Sequence, residues 1–203
     1  AQYLVFFPVV VLLYFAFPHK LRNGWLLLVS YFFYMQWNAK YAVLLFISTL
    51  ITYISGLCIE KARNNQKLLG AKLSVAASFI LNIGILVFFK YSNFIIENIN
   101  RLYGLLGREG GIQELDILLP VGISFYIFQA LSYTMDVYRG KIKATKNLFR
   151  YALFVSFFPQ LVAGPIERSC NLLKQFDEKH EFDVDRVRAG LLLMLWGLFI
   201  KMV

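Results

Sequence analysis

Charge is scarce in this chain: only 16% of its 203 residues are Asp, Glu, Lys or Arg, against about a quarter in an ordinary soluble domain. Acidic residues are scarcer than basic ones, 12 against 21, and they are almost absent from the apolar runs. That absence argues against a proton relay or cation pump, which would place carboxylates at membrane depth. Cysteine occurs twice, at Cys58 and Cys170, far apart and without CxxC or metal-ligand spacing. The two read as free thiols, with no disulfide framework and no zinc site; S-acylation of Cys170 stays open. Histidine also occurs twice. His19 reads as part of a short interfacial loop and His180 as part of a solvated stretch, DEKHEFD. Neither has a Cys or carboxylate partner at nucleophile or metal spacing, and no GxSxG, HExxH or P-loop pattern is present.

What the chain has in abundance is apolar surface. Hydrophobic residues make up 59% and aromatics 17%, and the mean hydropathy is +0.59. Long uncharged runs separated by basic clusters predict an all-α, polytopic integral membrane protein. The net charge of +9 then fits loops facing an anionic leaflet, with membrane lipid as the surrounding partner, and is no sign of nucleic acid.

The runs can be taken in order. Residues 1–18 are uncharged, long enough to cross, and lack the basic n-region and cleavage site of a signal peptide; His19-Lys20-Leu21-Arg22 closes them. Residues 24–37 form a short run of roughly 20 Å that must tilt or meet a thinned bilayer. Tyr41 to Ile59 is the clearest span, with Ser48, Thr49, Thr52 and Ser55 on one helical face for packing. Residues 60–72 read as a connection. Leu73 to Phe89 is a span carrying Asn82 as interhelical glue, and residues 92–116 read as a mixed-charge loop. Ile117 to Met135 is a further 19-residue run; 151–163 is apolar for only 13 residues, which suits a re-entrant or horizontal helix. Residues 189–200 start a final apolar helix. The chain has no initiator Met and stops as that helix ends, which reads as the N-terminal part of a single membrane domain over 1–203.

With the N-terminus outside, the inner loops hold 11 Lys and Arg and the outer ones 4. The positive-inside rule therefore predicts an extracytoplasmic N-terminus.

Two segments depart from plain lipid-facing sequence: LPVGISFYIFQALSYTMDVYRG over 119–140 and YALFVSFFPQLVAGPIER over 151–168. Pro120-Val121-Gly122 can bend or break a helix start. Gln129, Ser132 and Asp136 make one polar stripe, and Asp136 with Arg139 can pair at i, i+3. Pro159 marks a kink, and Gln160 at membrane depth needs a partner and can donate a hydrogen bond. Gly164 before Pro165 allows a sharp turn with close backbone approach. On residues alone, packing glue and an interface salt bridge account for much of this.

The two segments closely resemble the signature of the membrane-bound O-acyltransferase family, in the branch of alginate O-acetylation and D-alanyl teichoic acid transfer proteins. The W-LLLVSYFFY-W run at 25–37, ILNIGILVFFKYSNF at 80–94 and GLFIK at 197–201 resemble it too, so the likeness covers most of the chain. The resemblance implies tilted helices around a thin central funnel where donor and acceptor meet from opposite faces. It implies that Pro120, Gly122, Ser124, Phe125, Gln129, Asp136, Arg139, Pro159, Gln160, Gly164, Pro165 and Arg168 shape the tunnel and its cytoplasmic entry. It places the catalytic histidine on a later helix, beyond Val203, so no catalytic residue and no metal ligand is assigned here. The activity implied is O-acylation, foremost O-acetylation, of an extracytoplasmic polysaccharide such as alginate at the bacterial inner membrane. The acyl donor, acetyl-CoA or an acyl carrier, comes as a cytoplasmic substrate and not as a bound cofactor; a partner transferase on the outer side is a further expectation. The alternative is a non-catalytic transporter or scaffold of a polysaccharide export system, whose hallmark would be inverted repeats.

Overall fold

The computed structural model describes residues 2–106, 111–161, 164 and 167–202. All regular structure among them is helical: α1 (Gln2–Ala16), α2 (His19–Met35), α3 (Ala39–Asn64), α4 (Leu68–Leu105), α5 (Ile123–Tyr138), α6 (Leu148–Ser156), α7 (Phe158–Leu161), α8 (Ser169–Gln175) and α9 (Val184–Met202). Among the described residues, α3 and α4 are long and apolar enough to cross a membrane. Two compact units are present, Ala1–Arg22 with Glu178–Val203, and Asn23–Asp177.

In the smaller unit Arg22 lies over the Tyr14 ring, 5.0 Å from its centroid. It donates to the carbonyls of Phe17 at 3.1 Å and His180 at 2.6 Å. α9 has no buried residue.

The larger unit is built on α3, α4 and α5, with α6 packed on α3 and α8 on α6. Its core holds Leu45, Ile59, Ile127, Leu153 and Phe154, all fully buried. Polar side chains cross between the helices. Ser48 donates to Asn82 Oδ1 at 2.5 Å, Asn82 donates on to the Ser78 carbonyl at 2.9 Å, and the Ser78 and Thr134 hydroxyls lie 3.5 Å apart. Asn82 is thus the interhelical link its position suggested, joining α3 to α4. Tyr151 donates to Thr52 at 2.7 Å, and Tyr133 accepts from the Thr145 amide at 2.9 Å. The Tyr133 ring sits where any side chain at Gly56 would be, 2.8 Å from the position of a Cβ.

Several sequence-based boundaries are corrected. His19 to Arg22 do not close a span as a loop; they form the first turn of α2. Residues 60–72 are not a long connection. α3 runs to Asn64 and α4 starts at Leu68 because Gln66, at φ 55°, forms a tight cap. Its amide donates to the Arg63 carbonyl at 3.0 Å and that of Lys67 to Ala62 at 2.8 Å, the Schellman pattern.

The mixed-charge loop is also largely helical, since α4 continues for 38 residues to Leu105. At about 57 Å it outruns a 30 Å hydrocarbon core. The chain then returns extended. Asn93 both donates to and accepts from the Leu115 backbone, at 2.9 and 3.0 Å. Asn100 does the same to Ile112, at 2.8 and 2.7 Å. Two asparagines two turns apart on one face of α4 thereby satisfy this strand-like segment much as a neighbouring strand would. The apolar run from Ile117 consequently becomes helical only at Ile123.

Candidate functional site

α5 begins on a turn. The Ile123 amide donates to the Pro120 carbonyl at 3.3 Å, and Gly122 takes φ 72°, a region an L side chain enters only at a cost. Pro120, which is buried, and Gly122 together set where α5 starts and how it is rotated. Tyr126, Gln129, Ala130 and Tyr133 then face the core, while Phe125 and Phe128 are 39% and 47% exposed on the other side. Phe125 and the half-buried Ser124 are therefore not gathered with Gln129.

At the far end of α5, Gly140, at φ 73°, forms a second Schellman cap. The Gly140 amide donates to Val137 and the Lys141 amide to Asp136, both at 3.0 Å. Arg63 of α3 also donates to the Val137 carbonyl, at 2.8 Å. The expected Asp136–Arg139 pair does not form. Arg139 is exposed, because i+3 puts it on the cap where the chain turns away. Asp136 instead accepts from the buried Ser169 hydroxyl at 2.8 Å, with Lys141 Nζ at 4.0 Å. It thus ties α5 to the start of α8.

The second motif segment is a broken helix. α6 is capped by Asn147, whose side chain accepts from the Arg150 amide at 3.2 Å. It ends at Ser156, and after Phe157 a single turn, α7, follows. The break leaves backbone groups to satisfy, and two side chains from elsewhere satisfy them. Ser30 of α2, fully buried, accepts from the Phe158 amide at 3.2 Å. Gln129 of α5 donates to the Phe154 carbonyl at 2.6 Å. Pro159 has no N–H to satisfy, and the amides of Gln160 and Leu161 both donate to the Phe157 carbonyl, at 3.0 and 3.1 Å. The amides of this turn are fully accounted for.

Gln129 also donates to Gln160 Oε1, at 3.2 Å, so the two motif segments meet side chain to side chain. Gly164 folds back on the same residue. Its amide donates to the Gln160 carbonyl at 3.1 Å, and a Cβ at Gly164 would collide with the Gln160 Cα. Pro165 lies outside the described residues. Arg168 is exposed and precedes α8, its carbonyl accepting from the amides of Asn171 and Leu172.

The structure therefore gathers Gln129, Gln160, Gly164 and Pro159 at one place. It puts Asp136 in a separate tie and leaves Phe125, Arg139 and Arg168 at the surface. Sequence reasoning missed Ser30, 128 residues from its partner, because a serine inside an apolar run carries no mark of what it faces. It also missed Arg150, which donates to the Leu173 carbonyl at 2.6 Å and pairs with Asp177. Of the cysteines, Cys58 and Cys170 are both free thiols. No cluster of His, Cys, Asp or Glu able to hold a metal occurs among the described residues.

Comparison with curated proteins gives extensive similarity. The chain is 37% identical over 199 residues to a probable alginate O-acetylase of Pseudomonas syringae pv. tomato, covering 98% of this chain and 38% of that protein. Against the peptidoglycan O-acetyltransferase of Helicobacter pylori it is 32% identical over 229 residues, covering 98% of the chain and 42% of the relative. A shorter stretch of 61 residues, 30% of the chain and 15% of the relative, is 34% identical to the teichoic acid D-alanyltransferase of Lacticaseibacillus rhamnosus. The chain thus spans about two-fifths of the length of the first two relatives. Neither a family model nor a solved structure matches it.

Proposed function

The chain belongs to the membrane-bound O-acyltransferase family, and from that premise we propose that it serves an enzyme moving an acyl group, foremost acetyl, onto a hydroxyl of an extracytoplasmic polysaccharide. The observation that carries this reading is the similarity over nearly the whole chain to proteins named as O-acetylases of two different polymers. The donor is a cytoplasmic acyl thioester, acetyl-CoA or an acyl carrier, and the protein is polytopic in the bacterial inner membrane with its N-terminus outside. The basic linker over 136–150 then faces the cytoplasm, and α6 with α7 forms a re-entrant element entering from that side. A partner transferase on the outer face remains part of the proposal.

In such a transfer the acceptor oxygen attacks the acyl carbonyl carbon, the carbon–sulfur bond breaks, and the hydroxyl proton passes through a base to the departing thiolate. A histidine suits that base, since it titrates near neutral pH. In this reading it lies C-terminal to Val203, and the residues described above hold the framework around it.

The test is acetyl transfer from labelled acetyl-CoA to polysaccharide by the full-length protein in membrane vesicles, before and after each histidine is replaced. Loss of transfer on replacing one histidine beyond Val203 is expected. Undiminished transfer after every histidine has been replaced would overturn the reading.

A further inference from the structure

The polarity of the hydrogen bonds around Gln129 fixes the orientation of a second amide. Amide oxygen and nitrogen are hard to tell apart by shape, so they are assigned from their partners. The Phe154 carbonyl can only accept, and Gln129 approaches it at 2.6 Å. The atom that does so must be Nε2. The same nitrogen lies 3.2 Å from the Gln160 side chain and has only its second N–H left to give. Gln160 must therefore present Oε1 to it, which turns the Gln160 NH₂ group away from Gln129.

That NH₂ group has no hydrogen-bond partner among the described residues, and it is not sealed in the core: Gln160 is half-buried while Gln129 is 4% exposed. Gln160 is also held at its backbone. Its amide donates to Phe157, and its carbonyl accepts from Gly164. A residue held at two backbone groups and at its side-chain oxygen, with its NH₂ group left free, is a preorganised donor, which loses little freedom on meeting an acceptor.

We infer that Gln160 Nε2 is a substrate-binding donor for the carbonyl oxygen of the transferred acyl group, with Gln129 as the positioning residue that aims it. The inference rests on the acyltransferase reading. The acyl carbonyl is chosen over an acceptor hydroxyl because, in the proposed topology, Gln160 sits on the element that enters from the donor's side, and because a carbonyl oxygen is an acceptor only and so matches an N–H donor.

The experiment measures steady-state transfer by the full-length protein with acetyl-CoA and polysaccharide varied separately. Gln160→Glu keeps the oxygen that accepts from Gln129 and removes the outward N–H pair; Gln160→Met removes both. Each is expected to lower kcat/KM for acetyl-CoA by about tenfold, the worth of one hydrogen bond, with KM for polysaccharide within about twofold of wild type. Gln129→Leu is expected to fall between them and wild type. A Gln160→Glu enzyme equal to wild type would overturn the assignment, as would a loss confined to KM for the polysaccharide. So would failure of both Gln160 variants to accumulate in the membrane, since Gln160 would then be serving the fold. Wild-type protein without transfer activity would remove the acyltransferase reading itself before any variant is compared, and this inference with it.

Discussion

Adding one methyl group at Gly164 places a Cβ against the Cα of Gln160, at a separation real Cβ atoms do not show. The atom in the way is backbone, so no rotamer change relieves the overlap. Ordinary van der Waals contact starts at 3.4 Å, and reaching it takes roughly 1 Å of chain movement between Gln160 and Gly164. A displacement of that size at a positioned group costs about a hundredfold in rate, about 2.7 kcal/mol of barrier. Gly164→Ala in the full-length protein should therefore lose about two orders of magnitude in transfer rate per membrane-inserted molecule, and Gly164→Val at least as much, with insertion unchanged. Gly140 supplies the control. A Cβ there meets the Arg63 guanidinium, the far end of a side chain that donates to Val137, and the residue also pays for its φ of 73°. Gly140→Ala should cost about 1–2 kcal/mol of stability and leave the rate per folded molecule within a few-fold of wild type. Acetyl transfer normalised to protein in the membrane, with thermal stability in detergent alongside, separates the two. A Gly164→Ala protein with wild-type rate would refute the close-approach argument.

Ser30→Ala removes an acceptor of the Phe158 amide at a fully buried site. It should lower stability by about 1–3 kcal/mol, read from thermal unfolding in detergent; an unchanged unfolding temperature would mean the amide has another partner. Asn82→Leu should lower stability by about 1 kcal/mol by removing the Ser48 link, with Ser48→Ala in the same background adding little, because the two report one interaction. Gln66→Gly should raise stability by about 1 kcal/mol, since the cap at φ 55° suits glycine better. A reporter fused after Lys143 should behave as cytoplasmic, and a periplasmic signal there would reverse the proposed topology.

Much of the fold could be read from the apolar runs, and the misplaced ends of α3 and α4 share one cause. Tyr41 to Ile59 and Leu73 to Phe89 lie inside α3 and α4, yet both helices continue through charged and polar residues that hydropathy treats as loop. Charge marks where a helix leaves the bilayer, not where it stops; the stop is set by a local cap such as Gln66, whose φ the sequence does not announce. The motif residues divide in the same way. Gln129, Gln160 and Gly164 stood out because amides and helix breakers are conspicuous in apolar surroundings. Their partners, Ser30 and the Phe154 carbonyl, are a plain serine and a backbone atom. Asp136 and Arg139 had the spacing of a pair, but the Schellman cap after Tyr138 diverts the second of them.

Two sets of hydrogen-bonded polar groups in the larger unit differ, and the difference separates scaffold from site. Ser48, Asn82, Ser78 and Thr134, and likewise Thr52 with Tyr151 and Tyr133 with Thr145, spend their hydrogen bonds on one another between α3, α4, α5 and the segments packed on them. Such closed sets fix the register of helices and leave nothing for a ligand. The set at the α6–α7 break does not close. Ser30 and Gln129 satisfy the backbone that the break exposes, and within that set the Gln160 amide nitrogen is left without a partner among the described residues. A segment that needed only a kink could end its accounting at Pro159, which removes an N–H for nothing. Recruiting a buried glutamine to orient a second glutamine goes beyond what the kink requires, and that surplus is the reason to look for substrate at Gln160.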